Sequence, residues 1–210
     1  MTSKKIKIID YGMGNLGSVQ LAFQKLGVKV EISDDINILR KADAFVLPGV
    51  GAFPQAVLNF KRQGLFGFLH EQVINQKKPI LGICLGMQLM AKESLEQGKS
   101  NGLGWFDAQV IPIDPTIDCR VPHVGWNNIV LTKEDDFFSK VDSDSNFYFD
   151  HSYKFITKDK NTILGLCEYE QNIVSIIRKG HIIGAQFHPE KSQRNGLKIL
   201  RNYLNYVENY

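Results

Sequence analysis

Cys84 stands in Gly82-Ile83-Cys84-Leu85-Gly86, an apolar run with a glycine two residues before it and another two after. Ile80 to Ile83 reads as a buried strand, and Leu85 to Ala91 as the start of a helix. A cysteine at such a joint sits on the tight strand-to-helix turn that presents a nucleophile, a geometry known with serine as Gly-x-Ser-x-Gly. The helix behind it is expected to add backbone N–H groups and positive potential, both of which favour a thiolate. A cysteine nucleophile needs a base, and the base needs a group that orients it. His188 and Glu190, in Gln186-Phe187-His188-Pro189-Glu190, meet that need. The proline between them is rigid, and the apolar run Ile182 to Ala185 before them predicts a strand whose end presents both side chains. His188 is the candidate to take the thiol proton and return it to a leaving amine, with Glu190 fixing its tautomer.

Acyl chemistry also needs donors for the oxyanion, and losing one costs about 10²–10³-fold. Leu47-Pro48-Gly49-Val50-Gly51 ends a strand, and its glycines allow unusual backbone angles there. Gly49 and Val50 are therefore candidates to aim a peptide N–H at the reacting carbonyl. The N–H of Leu85, the residue after the nucleophile, is the second.

These residues must be held by a sheet. In the first half, strands at Ile6–Ile9, Val28–Ile32, Ala44–Leu47 and Ile80–Ile83 alternate with helices at Leu16–Leu26, Ile36–Lys41 and roughly Pro54–Asn75. Short continuous apolar strands separated by helices indicate a parallel sheet covered on both faces. Such sheets bind ligands outside the carboxyl ends of their strands, where Cys84 and His188 both fall. After about Gly98 the pattern changes to strands at Trp105–Ile111, Val124–Leu131, Asn146–Phe149, Thr162–Glu168 and Ile173–Arg178. Lys179-Gly180 turns the last of these into a hairpin with His181–Phe187, and a helix closes the chain over Gln193–Glu208. The expectation is an open three-layer α/β sheet of flavodoxin-like type, with antiparallel strands added in the second half. One domain spanning residues 1–210 accounts for it.

A net charge of +3 with scattered basic residues gives no reason to expect nucleic acid or an anionic membrane surface. No signal peptide and no membrane-spanning apolar run are evident, so a cytoplasmic location is expected. Three cysteines make a poor disulfide framework and suit a reducing compartment. Cys119 and Cys167 lack any such turn and read as small buried hydrophobes.

Taken together, Gly82 to Gln88, Phe187-His188-Pro189-Glu190 and Pro48-Gly49-Val50-Gly51 resemble the class I (triad) glutamine amidotransferases. Four further segments resemble one branch of that family, the glutaminase subunits of imidazole glycerol phosphate synthases. They are Ile9 to Leu16, Pro122 to Asn127, His151-Ser152-Tyr153 and Glu190 to Gln193. The resemblance spans nearly the whole chain, with the motifs in the family's order. It implies that Cys84 attacks the side-chain amide of glutamine, with Gly51, Gln88, Glu96, His151, Ser152 and Tyr153 around the substrate. It implies that the ammonia passes to a (β/α)₈-barrel cyclase subunit of histidine biosynthesis in a heterodimer, docked through Trp126, Tyr148 and Lys191. It implies neither metal nor organic cofactor. It also implies an oxyanion strand at Gly49–Gly51 turned away until the partner binds its own ligand.

Other readings stand beside this one. Gly12-Met13-Gly14-Asn15-Leu16-Gly17 is a formal Gly-x-Gly-x-x-Gly between a strand and a helix, with Glu31 near the end of the next strand. Alone it predicts a dinucleotide-binding oxidoreductase, but Cys84 and His188 have no task in such a site. A non-catalytic subunit that keeps the fold has no use for a complete triad. Asp150 stands where the family generally has a small apolar residue, and Gly17 where a larger residue is common. Both departures leave room for a related subunit that supplies ammonia for sugar amidation in surface-polysaccharide synthesis. A carboxylate at Asp150 would either raise the pKa of His151 or point away from it. His123 and His151 are read as either site groups or structural hydrogen-bond partners.

Overall fold

A computed structural model describes residues 4–116 and 120–210; Cys119 lies outside them. The first half supplies strands β1 (Ile6–Ile9), β2 (Glu31–Ser33), β3 (Ala44–Gly49) and β4 (Ile80–Cys84). The helices between them are α1 (Leu16–Lys25), α2 (Ile36–Leu39), α3 (Phe53–Arg62) and α4 (Leu65–Leu69), with a single turn α5 (Leu85–Gln88) after β4. The second half supplies β5 (Ala91–Ser94), β6 (Ser100–Asn101), β7 (Phe106–Pro112), β8 (His123–Asn128) and β9 (Val130–Leu131). It continues with β10 (Asn146–His151), β11 (Tyr153–Thr157), β12 (Ile163–Glu168), β13 (Asn172–Lys179), β14 (Ile182–Ala185) and the terminal helix α6 (Gln193–Asn209).

Eight strands form the main sheet in the order β2-β1-β3-β4-β14-β13-β12-β9. The run from β2 to β14 is parallel and the remainder antiparallel. Val19 and Phe23 of α1 and Ile199, Leu200 and Tyr203 of α6 pack on one face. Phe53, Val57 and Phe60 of α3 and Leu65 and Phe68 of α4 pack on the other. This is the expected three-layer arrangement. Two smaller sheets carry the additions, β11-β7-β5-β6 and the antiparallel ribbon β10-β8.

Several elements differ from the sequence reading. The helix expected over Pro54–Asn75 is broken at Gly64, whose φ of 67° ends the α geometry, and residues 70–75 form a π turn. The helix expected from Leu85 lasts one turn, and the chain then enters β5 because Leu89 and Ala91 carbonyls accept from Leu103 and Gly104. A one-turn helix has little macrodipole, so the positive potential expected behind Cys84 reduces to local N–H groups. Val124–Leu131 divides between β8 in the ribbon and β9 in the main sheet. Among the described residues no helix is long and apolar enough to cross a membrane.

Candidate active site

Cys84 has φ 54° and ψ −111°, angles that a non-glycine residue adopts only where the surroundings enforce them. The enforcement is visible on either side. A Cβ at Gly82 would lie 2.8 Å from the Gly86 carbonyl, and one at Gly86 would overlap the Leu47 carbonyl oxygen. Both glycines are therefore required by close approach of the turn to β3 and β4. The two glycines flanking Cys84 in the sequence are the physical cause of its raised position at the sheet edge.

β3, β4 and β14 are adjacent and parallel, so their carboxyl ends share one edge. Gly49 pairs with Cys84 in register, and the chain leaving β14 brings His188 alongside. His188 Nδ1 lies 2.8 Å from Glu190 Oε1, both side chains 2% exposed. Burial alone would lower the His188 pKa, but hydrogen bonding and charge from Cys84 and Glu190 outweigh it and raise the value to about 10. The arrangement favours the imidazolium form of His188. Nε2 of His188 is buried and makes no hydrogen bond among the described residues, which leaves it open to take a proton.

The sulphur has two further neighbours. The Cys84 thiol donates to the Asp150 carbonyl at 3.8 Å, and the Gln186 side-chain amide donates to Sγ at 3.7 Å. Gln88 Nε2 donates both to Gln186 Oε1 at 3.0 Å and to the Tyr153 carbonyl at 3.1 Å.

A cavity of about 450 Å³ opens in front of Cys84 and lies within the range of small-molecule sites. Gly51, Gln88, Glu96, His151, Ser152 and Tyr153 all line it, together with Val50, Cys84 and Leu85. The residues expected around a substrate are thus brought together from α5, the loop after β5 and the β10–β11 junction. Glu96 is nearly buried, and its Oε2 accepts from the Phe53 N–H at 2.9 Å. Ala52, before α3, has no side chain to cap that helix, so Glu96 does so from across the fold. Burial pushes the Glu96 carboxyl up, against the Phe53 hydrogen bond.

His151 enters the cavity wall with both ring nitrogens engaged. Its Nδ1 is 2.8 Å from the Tyr153 carbonyl and its Nε2 is 2.9 Å from His123 Nδ1. Burial lowers its pKa to about 4, so the ring is neutral. The Asp150 carboxylate does little to raise it, because it projects to the other strand face, 3.7 Å from Lys191 Nζ.

A protein-family model described as "Glutamine amidotransferase class-I" matches residues 7–206. The chain belongs to the class-I glutamine amidotransferases. Similar curated members of the family include "Imidazole glycerol phosphate synthase subunit HisH 2" of Vibrio vulnificus (strain YJ016). It is 43% identical over 205 residues, covering 97% of this chain and 95% of that one. "Imidazole glycerol phosphate synthase subunit HisH 1" of Campylobacter jejuni (strain RM1221) is 43% identical over 199 residues, covering 95% and 98%. Among solved structures, a glutamine amidotransferase of Thermotoga maritima has a similar fold. Its TM-score is 0.64 at 19% identity, over 100% of this chain and 86% of that one.

Two other features of this amidotransferase concern its surface and its first loop. Trp126, Tyr148 and Lys191 form one patch: the two aromatic rings are 5.8 Å apart edge to face, and Lys191 Nζ is 5.3 Å from the Tyr148 ring centre. Trp126 is 45% exposed, so its ring lies at the surface. The last glycine of the Gly12–Gly17 loop lacks the close helix–strand packing of a dinucleotide fingerprint. A Cβ at Gly17 would meet nothing within 4 Å, and Glu31 is held by Lys7. Sequence reasoning did not single out Gln186 beyond its motif, nor Tyr11. The Tyr11 hydroxyl is fully buried against Gly49 and has no partner among the described residues.

Proposed function

We propose that the chain is the glutaminase subunit of an imidazole glycerol phosphate synthase. It hydrolyses glutamine to glutamate and ammonia and passes the ammonia to a (β/α)₈-barrel cyclase subunit in a heterodimer. That subunit makes imidazole glycerol phosphate and an aminoimidazole carboxamide ribotide in histidine biosynthesis. The observation that carries the chemistry is the meeting of Cys84, His188 and Glu190 at one sheet edge, in front of a cavity that takes a small polar substrate. The pathway rests on relatives of 43% identity, each covered almost end to end, whose names specify that synthase.

In the first step Cys84 Sγ, its proton passed to His188 Nε2, adds to the glutamine side-chain carbon. The carbonyl electron pair moves to oxygen, which is met by backbone N–H groups at Val50 and Leu85. Collapse breaks the C–N bond, His188 gives its proton to the departing nitrogen, and ammonia leaves a glutamyl thioester. Water, deprotonated by His188, then adds to the thioester, and the C–S bond breaks to free glutamate and the thiolate. Glu190 holds His188 with Nδ1–H toward the carboxylate and so keeps Nε2 facing the sulphur. Glu96 supplies negative charge for the α-ammonium of glutamine. Gly51, Gln88, His151, Ser152 and Tyr153 shape the remaining wall.

Trp126, Tyr148 and Lys191 are the docking face, a half-exposed aromatic and cationic patch of the kind that anchors protein interfaces. Cys84 and Cys167 are free thiols, as suits the reducing cytoplasm, to which we assign the reaction.

The test pairs the purified chain with a barrel cyclase. Glutamine turnover should rise when the cyclase's ligand is added, and Cys84→Ala should abolish glutamine-dependent product while ammonia-dependent product persists. Glutamine turnover retained by Cys84→Ala refutes the mechanism, and a cyclase indifferent to the chain refutes the partner.

A further inference from the structure

We propose that Gln186 is a further catalytic residue, whose side-chain amide donates a hydrogen bond to the Cys84 sulphur and stabilises it as the thiolate. The inference rests on the glutaminase reading of Cys84 and adds a group to it.

Gln186 is fully buried, and its backbone N–H is fixed to the Ser175 carbonyl at 2.9 Å. A buried side-chain amide must use its polar groups, because one left unpaired loses its hydration without compensation. Gln186 uses them toward Gln88 and Cys84, at 3.0 and 3.7 Å. The neighbouring groups dictate which end faces which. Tyr153 offers Gln88 a carbonyl, which only accepts, so Gln88 turns its NH₂ to that side. Its second N–H then points at Gln186, which must answer with oxygen. The Gln186 NH₂ is thereby left facing the sulphur. The reverse orientation would set two NH₂ groups against each other and an amide oxygen against the thiolate.

The sulphur's surroundings give this bond its consequence. In the thiol state the S–H donates to the Asp150 carbonyl. Once the proton has passed to His188, that carbonyl faces an anion and repels it. Two donors then serve the sulphur, the His188 imidazolium and the Gln186 amide. A hydrogen bond to an ionised acceptor is roughly twice as strong as a neutral one. Gln186 therefore favours the thiolate over the thiol, both before attack and when the thiolate leaves in thioester hydrolysis. The other titratable groups near the sulphur are the neutral Tyr11 phenol and, behind His188, the neutral His151. The Asp150 carboxylate is turned toward Lys191.

The test is the pH profile of iodoacetamide alkylation at Cys84, read by peptide mass spectrometry on the full chain without glutamine. Gln186→Leu and Gln186→Met remove the donor at different shapes. Each is expected to slow alkylation at pH 7 by about tenfold and to move the half-maximal pH up by about one unit. Melting curves verify that the variants are folded. If neither folds, Gln88→Met releases the Gln186 amide from its orientation and is expected to shift the profile in the same direction. A profile like that of the wild type in any of these folded variants overturns the proposal. The readout is independent of glutamine turnover. A shifted profile in a chain that never turns over glutamine leaves Gln186 in place and removes the substrate reading. Turnover with an unshifted profile does the converse.

Discussion

His123 Nδ1 lies 2.9 Å from His151 Nε2, and the groups at either end of the pair allow each ring one tautomer. The Tyr153 carbonyl only accepts, so His151 carries its proton on Nδ1 and accepts at Nε2. His123 must then donate from Nδ1 and accept at Nε2, where Asn127 Nδ2 approaches to 2.8 Å. The His123 ring is stacked between Phe149 and Tyr169, with centroids 4.7 and 3.9 Å away. Burial, aided in each case by a neighbouring histidine, holds the His123 pKa at about 3 and that of His151 at about 4.

Stability should fall on the acid side for that reason. Both values lie below the ordinary 6.5, so the folded state resists protons that the unfolded chain takes up. The stabilisation is complete above about pH 6.5 and is lost progressively as pH falls toward the folded values. Melting temperatures from pH 7 to pH 4 should decline, and less steeply in His123→Phe. That variant should itself cost about 1–3 kcal/mol at pH 7 by leaving His151 Nε2 without a donor. Equal acid slopes in the two proteins would contradict this account.

Tyr11 and Gly49 should show a compensating pair of substitutions. Gly49→Ala would drive a methyl group into the Tyr11 hydroxyl and to within 2.9 Å of Leu85 Cβ. Overpacking of this kind costs about 1–3 kcal/mol, and here it also displaces the strand end that leads to Val50. Tyr11→Phe removes a buried hydroxyl without a partner, so it should be neutral or stabilising by up to about 1 kcal/mol. The double variant should recover part of the loss, in both melting temperature and glutamine turnover. Strict additivity in a double-mutant cycle would show that the two positions do not meet.

The proposed docking patch should divide sharply between the Trp126 ring and the ion pair at its edge. Trp126→Ala should weaken binding to the cyclase by about 2 kcal/mol, roughly 30-fold, because exposed aromatics supply most of the energy at such surfaces. Asp150→Ala breaks only a half-exposed contact with Lys191 at 3.7 Å. It should change stability by less than about 1 kcal/mol and leave the neutral state of His151 untouched. Titration calorimetry with the cyclase separates the two, and wild-type affinity in Trp126→Ala would place the interface elsewhere.

What the sequence disclosed was what lies close together along it. The glycines at 82 and 86 and the His188–Glu190 pair are local patterns, and their geometry follows from backbone crowding and a short rigid turn. The parallel half of the sheet was legible because β3 and β4 are continuous buried runs and each strand from β1 to β4 is followed by a helix, whereas β2, expected at Val28–Ile32, is shifted to the more polar Glu31–Ser33. The pairs His123–His151 and Gln186–Cys84 span 28 and 102 residues, and no spacing rule connects them. β5 was hidden for a different reason. Leu85 to Ala91 is apolar enough for a helix, but Gly102 approaches so closely that a Cβ there would overlap the Ala91 carbonyl oxygen, and backbone pairing across that gap overrides the local preference.

Glu190→Gln should test the orientation of the base more severely than its charge. At present Glu190 Oε1 accepts from His188 Nδ1, which leaves Nε2 to face Cys84. A glutamine turned with its NH₂ toward His188 would donate to Nδ1, move the ring proton to Nε2 and remove the base. Loss of kcat by about 10²–10⁴-fold is expected, with KM changed much less, because the cavity wall is intact. The same substitution should flatten the alkaline limb of the stability profile. The folded pKa of His188, about 10, lies above the ordinary 6.5. Its contribution is therefore complete below about pH 6.5 and lost as pH rises through about 10. Removing Glu190 brings that pKa down and shrinks the contribution, as Cys84→Ala also should, since both groups raise it. Thermal melts between pH 7 and 10 on the three proteins measure this directly. A Glu190→Gln variant with wild-type turnover would mean that some group other than Glu190 sets the tautomer of His188.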